Sequence, residues 1–458
     1  MTGADRSFIV CEDASLFSFG DNQCGELGTG DSTNRLTPTR VDGLGPVRQV
    51  AVSNFHTGIV TDDGNLFMCG NGDHGRLGLG NMEDQGFERR ERFNLATPTL
   101  VPRAVFDGEA VLMVACGNVH TAVVTEGGNV YTFGCDISGA CGHKESRICH
   151  MVPKRVPAAG FHGERIVMVA AAASHTVALS DAGHVFTCGR NLYGQLGHGD
   201  QSKQSAFVQV DPMQFNGEVV EFVATGVSHH TVAITAGGRL YTWGHGGSGQ
   251  LGHGDTDFRL VPTLVEAGEF VGLRVTMAAC GALHTLIVTQ DGSLWACGRG
   301  NNGRLGLNTI NGQSVFVRVE IDTKIVAVAA GLHHSLAVAE DGTLWTWGNG
   351  RYGDLGHGNQ RECRVPTRLT VSPLDTLRVG RFHLLPQEDA IAFAMSQNRR
   401  LGASSRARAL NTDMLKMIQD NSHNMHNLDF AKHRSLITLL GGRNLLPSRV
   451  CRSCVIDS

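Results

Sequence analysis

Residues 325–348 read IVAVAAGLHHSLAVAEDGTLWTWG, and this stretch contains the pattern that decides the fold. An apolar run, Ile325–Ala330, ends at a glycine and is followed by an alternating segment, Ser335–Ala339. Asp341-Gly342 then makes a two-residue turn, because glycine readily adopts the positive φ that a tight hairpin needs. Thr343–Trp347 is rich in β-branched and aromatic residues, which favour strands. The stretch therefore predicts three short antiparallel strands.

The same pattern recurs seven times along the chain. In each copy a strand ends at a glycine, and a second glycine, which opens a Gly-x-Leu-Gly element, follows five residues later. A histidine followed by Thr or Ser stands fourteen residues before the strand-final glycine, except that the first copy has Arg6 there. Cys141 replaces the leucine in the third copy. The repeat histidines are His56, His120, His175, His230, His284 and His334, and their strand-final glycines are Gly70, Gly134, Gly189, Gly244, Gly298 and Gly348.

Each copy has the size and strand content of a propeller blade. Pro366–Leu369 predicts a fourth strand at a sheet edge, where the missing N–H of proline is tolerated. Four short strands in a unit of about 50 residues are typical of a blade, and blades must stack because one alone cannot bury both faces. No Trp-Asp strand ending recurs, which argues against a WD-repeat propeller. We therefore predict an all-β fold, a seven-bladed β-propeller over residues 1–383 with a small, partly helical C-terminal extension over residues 384–458.

The two ends of the repeat region complement each other. The first copy begins at its histidine position and lacks a leading strand, whereas residues 377–383 resemble the leading strand and histidine turn at 328–334. We predict that residues 376–383 pair with the N-terminal blade and close the ring, which removes free sheet edges. In the extension, residues 397–411 predict a basic linker. Residues 427–440 predict a helix that either docks on the propeller or binds a partner.

Charge is unevenly distributed along the chain. Residues 1–396 carry 29 Lys and Arg against 39 Asp and Glu, whereas residues 397–458 carry 10 against 4. An acidic protein body binds the phosphate backbone of nucleic acids poorly. We therefore expect any nucleic-acid binding to be weak and confined to the basic C-terminal tail. No cationic segment leads into an apolar run, and the longest apolar run, Ile166–Ala173, is too short to cross a membrane. With 13 cysteines, an odd number, these features predict a cytoplasmic or nuclear protein without a membrane partner.

The repeats resemble those of the regulator of chromosome condensation family. The resemblance rests on Ala279-Cys-Gly-Ala-Leu-His-Thr285 and on the Gly-Gln-Leu-Gly-His-Gly-Asp runs at 194–200 and 249–255, and it extends over about residues 7–383. It implies the propeller fold and several possible functions: nucleotide exchange on Ran-type GTPases, chromatin binding, a part in ubiquitin ligases, or scaffolding. Light-sensing members carry Trp two residues before many repeat histidines. A light sensor is disfavoured because those positions here are Asn54, Asn118, Ala173, Ser228, Ala282 and Leu332.

The repeat histidines allow two interpretations. As metal ligands or bases they would have to converge, but one histidine per blade is spread around the ring. The favoured interpretation is a ring-nitrogen hydrogen bond that ties a turn to the backbone. Cys451 and Cys454 form a lone pair without the second pair of ligands that a zinc site usually has. We find no nucleophile–base spacing and no phosphate-binding loop before a helix, so we predict no catalytic residue, no cofactor and no metal.

One insertion is a candidate for partner contact. The strand-final glycines Gly70 and Gly134 are 64 residues apart, against 50 to 55 elsewhere. The excess lies in Glu83–Phe93, and loops are where binding residues concentrate. The alternative is a solvated surface loop. The residues that we single out are Phe87, Glu88, Arg89, Arg90, Glu91, Arg92 and Phe93.

The sequence therefore favours a scaffold or adaptor that binds protein partners rather than an enzyme. The first alternative is a guanine-nucleotide exchange factor for a Ran-like small GTPase, which needs no catalytic triad. The second alternative is a chromatin-associated propeller.

Overall fold

The computed structural model describes residues 5–80, 93–144 and 148–370. They form seven antiparallel sheets in which consecutive strands pair, so the predicted seven-bladed all-β propeller is confirmed. Blade 1 contains β1 (Arg6–Val10), β2 (Leu16–Gly20) and β3 (Arg35–Arg40); blade 2 contains β4 (Val47–Val52), β5 (His56–Thr61), β6 (Leu66–Asn71) and β7 (Asn94–Val101); blade 3 contains β8 (Val111–Cys116), β9 (His120–Thr125), β10 (Val130–Cys135) and β11 (Cys149–Arg155).

The remaining blades repeat this order. Blade 4 contains β12 (Ile166–Ala171), β13 (His175–Ser180), β14 (Val185–Gly189) and β15 (Gln204–Gln209); blade 5 contains β16 (Val220–Gly226), β17 (His230–Thr235), β18 (Leu240–Gly244) and β19 (Arg259–Leu264). Blade 6 contains β20 (Val275–Cys280), β21 (His284–Thr289), β22 (Leu294–Gly298) and β23 (Gln313–Val319); blade 7 contains β24 (Ile325–Ala330), β25 (His334–Ala339), β26 (Leu344–Gly348) and β27 (Cys363–Arg368). Short 3-10 turns lie at Asp73–Gly75, Arg103–Phe106, Ala158–Phe161, Pro212–Phe215 and Asn301–Gly303.

The hydrophobic core lies between blades. The strand that opens with the repeat histidine is buried along its whole length in blades 2 to 7. The middle of each such strand is mostly apolar, since neighbouring blades cover both of its faces. On one side of blade 1, Phe8 packs in a cluster with Ile59 of blade 2. On the other side, Ile9 and Phe17 pack in a cluster with Leu336 of blade 7.

Blade 7 therefore contacts blade 1 and closes the ring. The amide of Gly358 donates to the carbonyl oxygen of Leu36 at 2.9 Å, as the amide of Gly199 in blade 4 donates to Leu260 of blade 5 at the same distance. Among the described residues the first sheet has three strands and the other six have four. The predicted pairing of residues 376–383 with blade 1 lies outside the described residues, as does the predicted extension over 384–458.

Antiparallel pairing gives the propeller two distinct faces. We call one the loop face: it is formed by the turns just before the repeat histidines and by the connections that contain the Gly-x-Leu-Gly elements. We call the other the hairpin face: it is formed by tight hairpins such as Asp62–Gly64 and by the connections between successive blades. In blade 2, for example, the turn that ends at His56 and the connection that follows Gly70 lie side by side, because His56 and Gly70 are paired in the antiparallel register.

Candidate functional site

The repeat histidines form a belt that joins each blade to the next. In every case the ring Nε2 lies 2.7–3.1 Å from a hydroxyl oxygen of the following blade. The sequence interpretation expected a bond to the backbone. The partner is instead the Thr or Ser that follows the repeat histidine of the next blade, or that follows Arg6 in blade 1. The six pairs are His56–Thr121, His120–Thr176, His175–Thr231, His230–Thr285, His284–Ser335 and His334–Ser7.

Each hydroxyl of the belt also donates to a backbone carbonyl of the Gly-x-Leu-Gly element. For example, Thr176 donates to the carbonyl of Ala140 at 2.7 Å, and Ser7 donates to that of Asp354 at 2.8 Å. A hydroxyl has one proton, so it must accept from the histidine, whose neutral ring therefore carries its hydrogen on Nε2. The belt is thus a chain of structural hydrogen bonds, in which the six rings point to successive blades and do not converge.

Burial keeps these rings neutral. Desolvation lowers the pKa of His120 to about 4 and the pKa values of His230 and His334 to about 3. The pKa values of His56, His175 and His284 are lowered well below their usual range for the same reason. A second proton would sit on Nδ1, where five of the six rings have no hydrogen-bonding protein atom among the described residues. The imidazolium form is therefore strongly disfavoured in the folded state.

Blade 1 replaces the histidine by a buried ion-pair network. Arg6 is 1% exposed and donates to Asp21 at 3.2 Å and to Glu26 at 3.1 Å. Its other guanidinium nitrogen donates to the carbonyl oxygens of Ser53 and Asn54 in blade 2, each at 3.1 Å. One arginine thereby performs the blade-joining role that histidine performs elsewhere.

The strand-final glycines are required by the backbone around the belt. Each lies directly opposite its repeat histidine in the antiparallel register, as Gly189 lies opposite His175. Its φ is +114°, and a Cβ would lie 2.6 Å from the Cα of His175. These glycines are therefore structural, and they bring the two connections of the loop face close together.

The loop face presents an exposed aromatic and apolar patch over blades 4 and 5. The ring of Tyr193 lies 4.7 Å from that of His245 and 5.1 Å from that of Phe258, measured between centroids. Phe258 is 43% exposed and the neighbouring Leu192 is 48% exposed. We call these four residues, with His229 stacked 5.6 Å from Tyr193, the aromatic patch. Sequence analysis missed it, because Tyr193, His245 and Phe258 occupy positions that vary among the copies.

Charged side chains of both signs are exposed on the loop face, and Asp200, Asp255 and Asp257 lie on the same connections as Tyr193 and Phe258. Arg190, Lys203 and Arg299 are exposed on the connections of blades 4 and 6, and Arg351 is exposed on that of blade 7. On the hairpin face, six of the seven tight hairpins carry an acidic residue and the seventh carries Arg239. The acidic residues are Glu12, Asp13, Asp62, Asp63, Glu126, Asp181, Asp291, Glu340 and Asp341. Both faces therefore present charged side chains to a partner.

Most of the predicted contact loop lies outside the described residues. Phe87, Glu88, Arg89, Arg90, Glu91 and Arg92 belong to the stretch 81–92. Phe93 is described, and it is 2% exposed, packed in a cluster with Leu77 and Phe133. It also lies against Gly72, where a Cβ would strike its ring. The ring of Phe93 is therefore part of the core and is not available to a partner.

Two groups of side chains in the described residues have the composition of metal ligands. His74, Cys135 and Cys149 lie together at the seam between blades 2 and 3. Asp5, His334 and Asp354 lie together at the seam between blades 7 and 1. In the second group, burial raises the pKa of Asp354 to about 7, and its carboxylate lies 3.7 Å from Nδ1 of His334. That group is engaged in closing the ring.

Comparisons with known proteins identify the family. The RCC1-like domain matches residues 79–407, and the regulator of chromosome condensation (RCC1) repeat matches residues 13–60 and again 47–76. The chain belongs to the RCC1 family. Among relatives of this RCC1-family chain, human Regulator of chromosome condensation is 33% identical over 66% of the chain and 72% of that protein. The ultraviolet-B receptor UVR8 of Arabidopsis thaliana is 34% identical over 67% of the chain and 66% of the receptor.

Further matches include a much longer protein and two solved structures. Human E3 ubiquitin-protein ligase HERC2 is 32% identical over 68% of this chain, which spans only 6% of that ligase. Among solved structures, Prp20p of Saccharomyces cerevisiae matches with a TM-score of 0.67 and 23% identity over 80% of this chain and 88% of that one. Human WBSCR16 matches with a TM-score of 0.66 and 23% identity over 78% and 94%. At this identity the structural matches show the RCC1-type propeller fold alone.

In the described part of this RCC1-family chain, no helix has the length and apolar character needed to cross a bilayer.

Proposed function

We propose that this propeller is a protein-interaction scaffold or adaptor and that its loop face binds the partner. The aromatic patch carries this proposal. It places a tyrosine, a phenylalanine and an exposed leucine on a rigid ring. Aromatic residues and arginine are enriched in the side chains that contribute most to protein–protein affinity.

The ring can hold such a surface in a fixed shape. Tyr193 and His245 belong to neighbouring blades, and the joint between those blades contains the hydrogen bond of His175 to Thr231 at 3.1 Å. A patch built across a braced seam loses little conformational entropy when a partner binds. We propose that the partner presents apolar side chains to this face. We keep the cytoplasm or nucleus as the proposed location.

Two double variants, each of which alters one face of the propeller, test the scaffold proposal. Leu192→Glu with Phe258→Glu should weaken partner binding at least tenfold, since one central contact side chain contributes about 2 kcal/mol. The matched control is Met213→Glu with Val271→Glu on the hairpin face, where these side chains are 72% and 48% exposed. Quantitative affinity capture from cells should show partners that are lost with the first pair and kept with the second. Equal recovery with both pairs contradicts the assignment to the loop face.

Nucleotide exchange on a Ran-like small GTPase is the second candidate function. It is supported by the 33% identity to human Regulator of chromosome condensation and by the 30% identity to mouse Secretion-regulating guanine nucleotide exchange factor, of which the chain covers 63%. Release of a fluorescent nucleotide from purified Ran is the direct test. Acceleration by orders of magnitude, lost in the loop-face variant, would establish exchange in place of a scaffold-only role. Chromatin association is a third candidate, and salt-dependent DNA binding tests it.

A further inference from the structure

We propose that His74, Cys135 and Cys149 form a binding site for a zinc ion at the seam between blades 2 and 3. His74 lies in the connection between β6 and β7, whereas Cys135 ends β10 and Cys149 begins β11. The two cysteines face each other directly in the antiparallel register. One histidine nitrogen and both sulfur atoms lie within 4.8 Å of one another.

The fold itself does not require this combination. The repeat places equivalent residues at every seam, and at the seam of blades 4 and 5 these are Tyr193 and His245, whose rings are in contact. None of the other six copies combines a histidine with a cysteine at the two equivalent positions. The equivalents of His74 are Cys24, Ser138, Tyr193, Ser248, Asn302 and Tyr352, and those of Cys135 are Asp21, Asn71, Arg190, His245, Arg299 and Asn349.

The donor set selects zinc. One imidazole nitrogen and two thiolates form a soft site without carboxylate oxygens, which suits Zn²⁺ and excludes Ca²⁺ and Mg²⁺. Zinc binds sulfur at about 2.3 Å and nitrogen at about 2.0 Å, so tetrahedral ligand atoms stand nearly 4 Å apart. Side-chain rotation can close the remaining gap of about 1 Å, because His74 is exposed and Cys149 is half-buried.

Charge around the site is compatible with a metal dithiolate. The guanidinium of Arg76, which is 4% exposed, lies beside Cys135 and Cys149 and donates to the carbonyl oxygens of Asp73 and Asn118. Two thiolates neutralise one Zn²⁺, so the arginine does not repel the complex. Three protein ligands leave the fourth tetrahedral position to water, on the side where His74 reaches solvent.

A bound ion would cross-link two blades beside the candidate contact loop. His74 belongs to the same connection as the inserted stretch 81–92, whereas both cysteines belong to the next blade. The metal would therefore hold the start of that connection against blade 3. This inference is independent of which partner the loop face binds.

Metal titration of the full-length protein tests the site. Chain that has been reduced and freed of metal should bind one equivalent of Zn²⁺ in competition with a chromophoric chelator, and Co²⁺ should give thiolate-to-cobalt charge-transfer absorption. Cys135→Ser, Cys149→Ser and His74→Ala should each weaken binding more than about a hundredfold, because loss of a direct ligand exceeds the effect of outer-shell changes. Cys363→Ser, which removes a partly buried cysteine in blade 7, should bind as the wild type does.

Circular dichroism of each metal-free variant shows whether it remains folded, and only folded variants are compared. Zinc should raise the melting temperature of the wild type and of Cys363→Ser in a concentration-dependent way, and leave that of Cys135→Ser unchanged. The site is ruled out if the reduced wild type binds no stoichiometric zinc, or if folded triad variants bind it equally. The proposal is also overturned if Cys135 and Cys149 form a disulfide in the untreated protein and the reduced protein binds no zinc.

Discussion

Gly189→Ala is expected to unfold the propeller or to lower its free energy of unfolding by at least about 3 kcal/mol. The residue has a φ of +114°, and a Cβ there would lie 2.6 Å from the Cα of His175 and strike the carbonyl oxygen of Ser174 as well. Both obstacles are backbone, so no rotamer change relieves them. Moving His175 would also disturb its hydrogen bond to Thr231 of the next blade. Denaturant unfolding of the soluble fraction measures the loss.

Gly217→Ala is the matched control for that substitution. Gly217 also has a positive φ, +72°, but no atom lies within 4 Å of the position that a Cβ would occupy. The substitution should therefore cost only the left-handed backbone penalty, about 1 kcal/mol. If both variants lose the same stability, the close approach at the histidine belt does not explain the glycine in each copy.

The blades were predictable from the sequence because the contacts within a blade are local and repeated. The turn at Asp341-Gly342 and the apolar run from Ile325 predicted β24 to β26 to within a residue or two. The sequence analysis identified the repeated Gly-x-Leu-Gly elements, whose leucines Leu196 and Leu251 are 0% and 2% exposed. Each of these features depends on residues that lie close together along the chain.

Contacts between blades were predicted less well, since they join residues that are distant along the chain. The sequence analysis interpreted the histidines as structural but did not predict their hydroxyl partners in the next blade. In the sequence Arg6 was noted only as the residue that replaces a histidine. The structure shows that it donates hydrogen bonds to four residues of blades 1 and 2. The cluster of His74 with Cys135 and Cys149 was also missed, because it appears only when blade 2 is placed against blade 3.

Acidification from about pH 7 to about pH 4.5 is expected to unfold the propeller cooperatively. The histidines of the belt have pKa values lowered in the folded state, to about 4 for His120 and about 3 for His230 and His334. In the unfolded chain they take up protons near pH 6.5. Below that pH the unfolded state binds more protons, so stability falls as the pH falls. Each such histidine costs about 1.4 kcal/mol per pH unit, whereas a whole domain is stable by about 5–15 kcal/mol.

Five carboxyl groups act in the opposite direction but do not reverse the result. Burial raises the pKa of Asp354 to about 7 and that of Asp136 to about 6, and it also raises the pKa values of Asp5, Asp181 and Glu221, so each stabilises the fold at low pH and loses this contribution as the pH rises. Six histidines outnumber these five groups, so the net slope of stability with pH should be positive between about pH 4 and about pH 6.5. Denaturant unfolding at a series of pH values measures that slope.

His120→Gln identifies the histidine belt as the origin of the slope. Glutamine can still donate to the hydroxyl of Thr176, which His120 contacts at 2.7 Å, but it cannot take up a proton. The variant should be less stable at pH 7, and its slope between pH 4 and 6.5 should be smaller by about 1.4 kcal/mol per pH unit. The control is Thr176→Val, which removes the hydroxyl that His120 contacts but no titrating group, so it should lower the stability and leave the slope as in the wild type. An unchanged slope in His120→Gln would mean that the acid sensitivity arises outside the belt, and the blade-joining hydrogen bonds would then not be what makes the ring depend on pH.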